Sequence, residues 1–236
     1  MTYIQAPADK RLVWYLAMEE YLAKQVEEEL FITWIVSPTV IFGRHQVMEA
    51  EVNVDFCRAN GIAMYRRKSG GGCVYADEGN LMMSMISPNK HSEVVFQQFL
   101  DKISDVLRHW GLPAVKSEHN DIMVEGMKVS GNACYALSTG TIVHGTMLVD
   151  VDLDMLQQAI TPSKEKLAKH GVKSVRQRVA NLARLVTNPQ LRTSTLVANR
   201  LSDALCLYQR ELTEQEIATI DRIEQSYLDP QFIVGK

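Results

Sequence analysis

The sequence predicts an α+β fold, a mixed and largely antiparallel sheet flanked by helices. Three observations predict it. Strand-like runs crowd residues 31–149, and the last third reads almost wholly helical. Over 236 residues, 46% hydrophobic and 22% charged side chains are the composition of an ordinary globular protein with one substantial core.

Leu12, Leu16, Tyr21, Leu22 and Val26 recur at near-helical spacing, with Glu19, Glu20 and Glu27 to Glu29 largely off that stripe. This predicts an amphipathic helix over about Ala8 to Glu29. Phe31 to Val36 and Thr39 to Phe42 are short β-rich runs separated by Ser37-Pro38, the pattern of a hairpin. Gly43 begins a polar loop. Asn53 is placed to cap a short helix that Asn60-Gly61 ends. Ile62 to Arg67 is strand-like, and Ser69-Gly70-Gly71-Gly72 then breaks any regular element.

Asn80 to Ser87 has the apolar content of a buried strand. Ser92 to Trp110 carries Val95, Phe99, Ile103 and Val106 or Leu107 at helical spacing. Asp121 to Val124, Met127 to Leu137 and Thr141 to Val149 are candidate strands. Asp152 to Ile160, Ser163 to Ala168, Pro189 to Arg210 and Thr213 to Tyr227 read as helices, the last opened by a capping box, Thr213-Glu214-Gln215-Glu216. With no repeats and no evident linker, 1–236 reads as a single domain.

Twenty-five basic and 28 acidic residues leave a net charge of −3, which excludes a generally basic nucleic-acid coat but not a local basic patch. Cys57, Cys73, Cys134 and Cys206 form no C-x-x-C and have no histidine cluster beside them, so neither a zinc site nor a disulfide framework is indicated. The N-terminus lacks the basic and apolar regions of a signal peptide. The most apolar stretch, Phe31 to Phe42, is too short to cross a membrane. A cytoplasmic protein is the expectation, with neither membrane nor nucleic acid as partner.

Three segments carry chemistry. Arg66-Arg67-Lys68-Ser69-Gly70-Gly71-Gly72-Cys73-Val74-Tyr75 places three cations before three glycines. Such a loop lets the backbone approach a ligand and turns amide N–H groups toward an anion such as phosphate. The same residues also read as a glycine-rich turn beside a solvated basic run, because the Gly-Lys-Ser/Thr of a P-loop is missing. In Asn120-Asp121-Ile122-Met123-Val124-Glu125-Gly126-Met127-Lys128-Val129-Ser130-Gly131, a hairpin at Glu125-Gly126 would bring Lys128 near Asn120 and Asp121. A lysine so placed can grip a phosphate and a carbonyl oxygen together; an exposed hairpin lysine has the same sequence. His144-Gly145-Thr146-Met147-Leu148 puts a histidine on a strand, where a packed core histidine is the plainer reading. Gly145 within a strand hints at a close backbone or ligand approach.

In this order the three segments resemble the lipoate–protein ligase A family, whose pattern runs Arg-Arg-x-Ser-Gly-Gly-Gly-x-Val, then Asn-Asp-(apolar)3-x-Gly-x-Lys-Val-Ser-Gly-x-Ala, then His-Gly-Thr-x-Leu. Gly43-Arg44-His45-Gln46 and Ser174-Val175-Arg176-Gln177-Arg178-Val179-Ala180-Asn181-Leu182 add weaker matches, so the likeness runs from about residue 10 to 235. The resemblance implies a fold related to biotin ligases and class II aminoacyl-tRNA synthetases, and a catalytic domain without the smaller C-terminal accessory domain. It implies an ATP-dependent, amide-forming ligase. ATP, with Mg²⁺, and lipoate give lipoyl-AMP and pyrophosphate; the lipoyl group then passes to a lysine of a lipoyl domain of a 2-oxoacid dehydrogenase or of glycine-cleavage H protein.

Carried over by position, Lys128 is the catalytic lysine. Arg67, Ser69, Gly70, Gly71, Gly72, Cys73, Val74, Tyr75, Asn120, Ser130 and His144, with Lys128 itself, are implied as ATP- and lipoyl-adenylate-binding, and Asp121 as a ligand for Mg²⁺ or for the incoming amine. Val74, Met82 or Met147 would line a slot for the dithiolane tail. Cys73 stands where the family pattern has Ala, and Ala76 where it has His. Two alternatives remain open: one chain of a two-component ligase with a separate accessory-domain partner, or a cysteine-dependent lipoyl or octanoyl transferase without adenylation of its own. The latter needs an activated thiol, and Cys73 and Cys134 are the thiols close to these motifs.

Overall fold

The structure, a computed structural model, describes residues 1–118, 120–161 and 178–235. The helix expected over Ser163 to Ala168, and positions 174–177 of the downstream motif, lie outside the described residues. Among the described residues the helices are Leu12–Lys24 (α1), Met48–Glu51 (α2), Val54–Ala59 (α3), Ser92–His109 (α4), Leu153–Ala159 (α5), Leu182–Leu185 (α6), Ser194–Leu205 (α7), Glu214–Leu228 (α8) and Pro230–Val234 (α9). A large sheet orders its strands as Tyr208–Glu211 (β11), Thr2–Gln5 (β1), Leu30–Trp34 (β2), Asn80–Ser87 (β6), Thr141–Leu148 (β10), Met127–Ala136 (β9), Asp121–Val124 (β8) and Ala114–Lys116 (β7). Pairing is parallel where β1 meets β2 and β11, and antiparallel elsewhere. A smaller sheet orders Ala63–Arg66 (β4), Thr39–Phe42 (β3) and Cys73–Ala76 (β5). This is the expected α+β class.

Side chains alternate between the two faces of a strand, which splits the core in two. On one face Leu81, Met83, Met85, Val143 and Met147 pack with Phe99, Ile103 and Leu107 of α4 and with Val197 and Leu201 of α7. Each such side chain, fully buried, contributes about 1.5–3 kcal/mol. On the opposite face Ile32, Trp34, Met82, Ile86 and Ile142 pack with α1, with Ile220 and Tyr227 of α8, and with Ile41 and Ala76 of the smaller sheet. The smaller sheet buries its outer side, through Val40 and Phe42, against Cys57 of α3 and Leu156 of α5.

Three expectations are corrected. The runs either side of Ser37-Pro38 are not a hairpin: β2 pairs with β6 in the large sheet and β3 with β4 and β5 in the small one. Both strands are buried throughout, so neither shows the alternation that would separate two sheets. Pro189 to Arg210 is not one helix. It divides into a 3₁₀ turn at Pro189–Leu191, α7 capped by the Thr193 hydroxyl, and β11, which pairs with β1 as an exposed edge strand.

The first helix starts at Leu12 rather than Ala8, after Asp9 takes a left-handed backbone (φ 60°), and ends at Lys24. It is buried nearly all round, between the large sheet, which covers Glu19 through Ser84 and His144, and α8, which covers Glu20 through Tyr227. Glu20 accepts from Lys24 Nζ at 2.7 Å, Lys68 Nζ at 2.6 Å and the Tyr227 hydroxyl at 3.2 Å.

Burial alone would push the Glu20 carboxyl up, but the hydrogen bonds and charges of Lys24 and Lys68 outweigh it and hold the pKa below the usual glutamate value. A carboxylate whose folded pKa is depressed stabilises the fold above its unfolded pKa, and loses that contribution as pH falls through the folded value. Glu20→Gln is therefore expected to unfold at lower urea than wild type at pH 7, and the gap to close below about pH 4. Urea midpoints at pH 7, 5 and 3 check this.

Candidate active site

The Glu125-Gly126 turn has positive φ at both residues (51° and 78°), the backbone of a two-residue hairpin turn matched to strand twist, and it joins β8 to β9 as the dipeptide predicts. Past the turn, Met123 pairs with Lys128, but Ile122 pairs with Ser130, so Val129 is an extra residue in β9. This bulge re-aims the strand, and Lys128 and Gly131 come to the same face. Lys128 Nζ lies directly over Gly131: a Cβ at that glycine would meet it at 2.5 Å. The ammonium also lies 2.8 Å from Asp121 Oδ1, while Arg178 Nη2 donates a very short hydrogen bond to Oδ2 of the same carboxylate. Arg178 is held there because its segment runs beside Lys128, with Lys128 N donating to Arg178 O at 2.9 Å and Ala180 N to Lys128 O at 3.0 Å.

From this pair a single row crosses the large sheet: Asp121 opposite Gly131, Gly131 opposite Thr146, Thr146 opposite Met82, and Met82 opposite Trp34. Neighbouring strands lie about 4.8 Å apart, so the row spans about 19 Å. It passes from an ion pair through a hydroxyl to a thioether and an indole. Above it stands a cleft of about 500 Å³ between the two sheets, whose apolar wall includes Leu16, Trp34, Ile41, Val74 and Met82. A second cavity of about 580 Å³, beside the start of α1, is lined by Lys10, Arg11 and Tyr15 but by none of the motif residues.

The glycine loop joins β4 to β5 over this cleft. Arg67 is buried beneath it and donates to Gly70 O (3.1 and 2.8 Å), Gly72 O (2.8 Å) and Ile41 O (3.2 Å). Gln46 Nε2 donates to Gly71 O at 3.2 Å, and Gly43 N to Gly72 O at 3.1 Å. Because C=O and the following N–H point opposite ways in a peptide plane, the N–H groups of Gly71, Gly72 and Cys73 face away from these donors. Burial pulls the Arg67 guanidinium down to about 10, still cationic at neutral pH.

Arg66, also buried, donates to the carbonyls of Arg44 (2.8 Å), Gln46 (2.7 Å), Ile233 (3.0 Å) and Val234 (3.1 Å), joining the 43–46 turn to the end of α9. Lys68 is engaged by Glu20. The basic run read as three cations facing an anion is thus bound internally, because a buried guanidinium needs acceptors for its five N–H groups.

Of the predicted residues, Arg67, Gly71, Gly72, Cys73, Val74, Tyr75, Asn120, Asp121, Lys128 and His144 line the cleft. Ser69 and Ser130 are buried behind it, and Gly70 stands exposed at its edge. Met147 points to the α4 face, so of the three tail-slot residues Val74 and Met82 fit and Met147 does not. Gly145 lines the cleft and also makes room for a neighbour, since a Cβ there would meet Asn132 Oδ1 at 2.0 Å.

Mg²⁺ takes six oxygen ligands in near-octahedral geometry. Both Asp121 oxygens face cations, and among the described residues no group of three His, Cys, Asp or Glu could hold a metal. These residues do not fit a protein-held Mg²⁺. Cys134 is not close to the cleft either: it packs on the α4 face, and burial pushes its thiol up to about 11, too high for an ionised nucleophile.

Sequence reasoning missed Arg178, which lines the cleft, and Glu19, which is buried against His144 behind it. Glu19 was indistinguishable from a solvated helix acid. Arg178 had one signal, its place in the weaker downstream match.

A family model described as the lipoyl protein ligase A/B catalytic domain matches residues 13–205. The lipoate–protein ligase LplJ of Bacillus subtilis is 34% identical over 219 residues, covering 89% of this chain and 66% of that relative. Among solved structures, a Thermoplasma acidophilum protein assigned as a lipoate protein ligase and holding lipoic acid superposes with a TM-score of 0.85 at 25% identity, over 100% of this chain and 98% of the other. A bipartite lipoate protein ligase of the same organism, described with its E2 lipoyl domain, superposes with a TM-score of 0.84 at 26% identity, over 99% and 96%. The chain spans about two thirds of the Bacillus relative's length. With one family model matching most of its residues and a relative 34% identical across 89% of it, the chain belongs to the lipoyl protein ligase A/B catalytic-domain family.

Proposed function

We propose that this chain is a lipoate–protein ligase: it joins lipoate to AMP with loss of pyrophosphate, then passes the lipoyl group to a lysine ε-amine. The acceptors in this reading are lipoyl domains of 2-oxoacid dehydrogenases or glycine-cleavage H protein. The observation that carries it is the polarity gradient of the cleft, with Lys128 and the glycine loop at one end and Trp34, Met82 and Val74 at the other. A molecule with an apolar tail and a carboxylate head matches that gradient in one orientation. Its carboxylate then lies by Lys128, and the α-phosphate of ATP lies between Lys128 and the loop amides.

In the first step the carboxylate oxygen attacks the α-phosphorus, and Lys128 sits where negative charge on both partners must be brought together. In the second the acceptor amine attacks the acyl carbon and AMP leaves. Lys128 then faces the carbonyl oxygen on which charge develops. Asp121 holds Lys128 and Arg178 side by side, and Arg67 shapes the loop from behind. Mg²⁺ enters this reading with the nucleotide phosphates, not on Asp121. The acidic thiol that a cysteine-dependent transferase needs is not offered by Cys134. The likeness to a bipartite ligase supports a second reading, in which adenylation draws on a separate chain. Among the described residues no helix is long and apolar enough to cross a membrane, and we place the protein in the cytoplasm.

The test mixes the chain with lipoate, Mg·ATP and an apo lipoyl domain and follows the acceptor by intact mass. A lipoyl mass gain that needs ATP supports the self-sufficient ligase. A gain only with supplied lipoyl-adenylate supports the two-chain reading, and no gain in either case rejects both. In this assay Asp121→Asn is expected to lower turnover about tenfold or more, as for loss of charge-assisted hydrogen bonds worth about 1.5–3 kcal/mol. The Mg²⁺ concentration for half-maximal rate should stay unchanged; a marked rise would make Asp121 a metal ligand after all.

A further inference from the structure

We infer that Glu19 is a positioning residue for the glycine loop, acting through His144 and Ser69. The inference rests on the reading of the cleft as a lipoyl-adenylate site and adds a residue to its machinery. Glu19 lies mid-way along α1 with its side chain 3% exposed. A carboxylate so buried is retained only where donors reach it. Two do: the Ser84 hydroxyl of β6 donates a very short hydrogen bond to Oε1, and His144 Nδ1 lies 3.0 Å from Oε2. The other nitrogen of the same ring, Nε2, lies 2.7 Å from the Ser69 hydroxyl.

The direction of this chain follows from the chemistry of its members. An ionised carboxylate only accepts, so Nδ1 carries the ring proton and donates it to Glu19. When the ring is neutral, Nε2 is then the acceptor and the Ser69 hydroxyl donates to it. Glu19 thereby fixes both the tautomer of His144 and the orientation of its ring. Without it, the proton can move to Nε2 and the Ser69 hydroxyl loses its acceptor.

Ser69 is the residue on which the glycine loop turns. Its carbonyl accepts from Arg44 N at 3.0 Å, three residues before the carbonyl of Gly72 accepts from Gly43 N at 3.1 Å. These two backbone bonds fasten the loop to the 43–46 turn at both ends. His144 adds the side-chain tie to the large sheet, so one carboxylate in α1 sets the height of the loop above the cleft.

Carboxylate, imidazole and hydroxyl in line also describe a nucleophilic triad. Here the hydroxyl is in the wrong place for that: Ser69 is 2% exposed and does not line the cleft, whereas Gly71 and Gly72 do. The relay ends on the loop's anchor, not on a reacting atom.

The test compares Glu19→Leu, which keeps volume but removes the acceptor, with Glu19→Gln, whose amide oxygen can still accept from Nδ1–H while its NH₂ reaches Ser84. Two readouts are taken on the full chain. In the acceptor acylation assay, Glu19→Leu is expected to raise the lipoate KM about tenfold with kcat within about twofold, and Glu19→Gln to hold the rise to about threefold. By amide hydrogen exchange, Gly43 and Arg44 should exchange about tenfold faster in Glu19→Leu while α4 is unchanged.

A Leu variant with wild-type KM and exchange overturns the inference. So does a Gln variant as impaired as Leu, or faster exchange throughout the chain, including α4. If the wild type itself acylates nothing, the functional reading fails, and the exchange at Gly43 and Arg44 still decides whether Glu19 holds the loop.

Discussion

Lys128→Ala should give a folded protein whose lipoyl transfer to an acceptor domain has fallen by about a thousandfold, the scale of losing one preorganised charge at a developing anion. Folding should survive because the substitution strands no buried charge: Asp121 keeps Arg178, and the Lys128 backbone keeps its bonds to Arg178 and Ala180. Lys128→Arg should recover little, since a planar guanidinium does not fit where an ammonium lies 2.5 Å from the position of a Gly131 Cβ. The measurement is single-turnover acylation followed by intact mass, run with ATP and lipoate and again with lipoyl-adenylate. Loss in both arms is expected, because the same ammonium faces the phosphate in one step and the acyl oxygen in the other. A well-folded Lys128→Ala that transfers at near wild-type rate removes Lys128 from the mechanism.

Arg67→Met should be the most destabilising change in the site. It removes the charged donor shared by Gly70 O, Gly72 O and Ile41 O, while Gly72 O keeps Gly43 N and Ile41 keeps its pairing with Val74. A hydrogen bond from a charged donor is worth about 1.5–3 kcal/mol, so about 2–4 kcal/mol is expected in total. For a chain of this size about 3 kcal/mol lowers Tm by roughly 6–12 °C, which calorimetry resolves. Arg67→Lys should not rescue it, because one ammonium cannot span three carbonyls that a fork of donors serves. A small Tm shift with lost activity would instead mean that Arg67 touches substrate.

What was legible beforehand divides by range. The Asn53 cap, the Thr213–Glu216 capping box and the Glu125-Gly126 turn are closed within a few residues, and each stands as read. The α4 stripe was legible because one sheet covers one side of that helix and solvent the other. Ser37-Pro38 was misread because what separates β2 from β3 is the partner each finds far along the chain. Glu20 was misread because α8, some two hundred residues on, covers it, and Glu19 because its partners, Ser84 and His144, come from β6 and β10 far along the chain.

The site shows the same division. Its motifs marked the loop, the hairpin and the histidine strand. Nothing in a run of Arg-Arg-Lys before three glycines reveals that the charges face inward to carbonyls rather than outward to phosphate. Nor does the spacing of Lys128 disclose the bulge at Val129 that turns it into the cleft.

Arg66 holds the carbonyls of Ile233 and Val234 with one edge and those of Arg44 and Gln46 with the other, and the 43–46 turn is bonded in its own right to the glycine loop. Two segments that share one rigid guanidinium are thermodynamically linked, and such linkage is reciprocal. Whatever free energy a substrate invests in ordering the loop reappears as tighter docking of α9, and a loosened α9 weakens substrate by the same factor. Occupancy of the cleft is therefore legible at residues 230–235, where slower amide hydrogen exchange reports it.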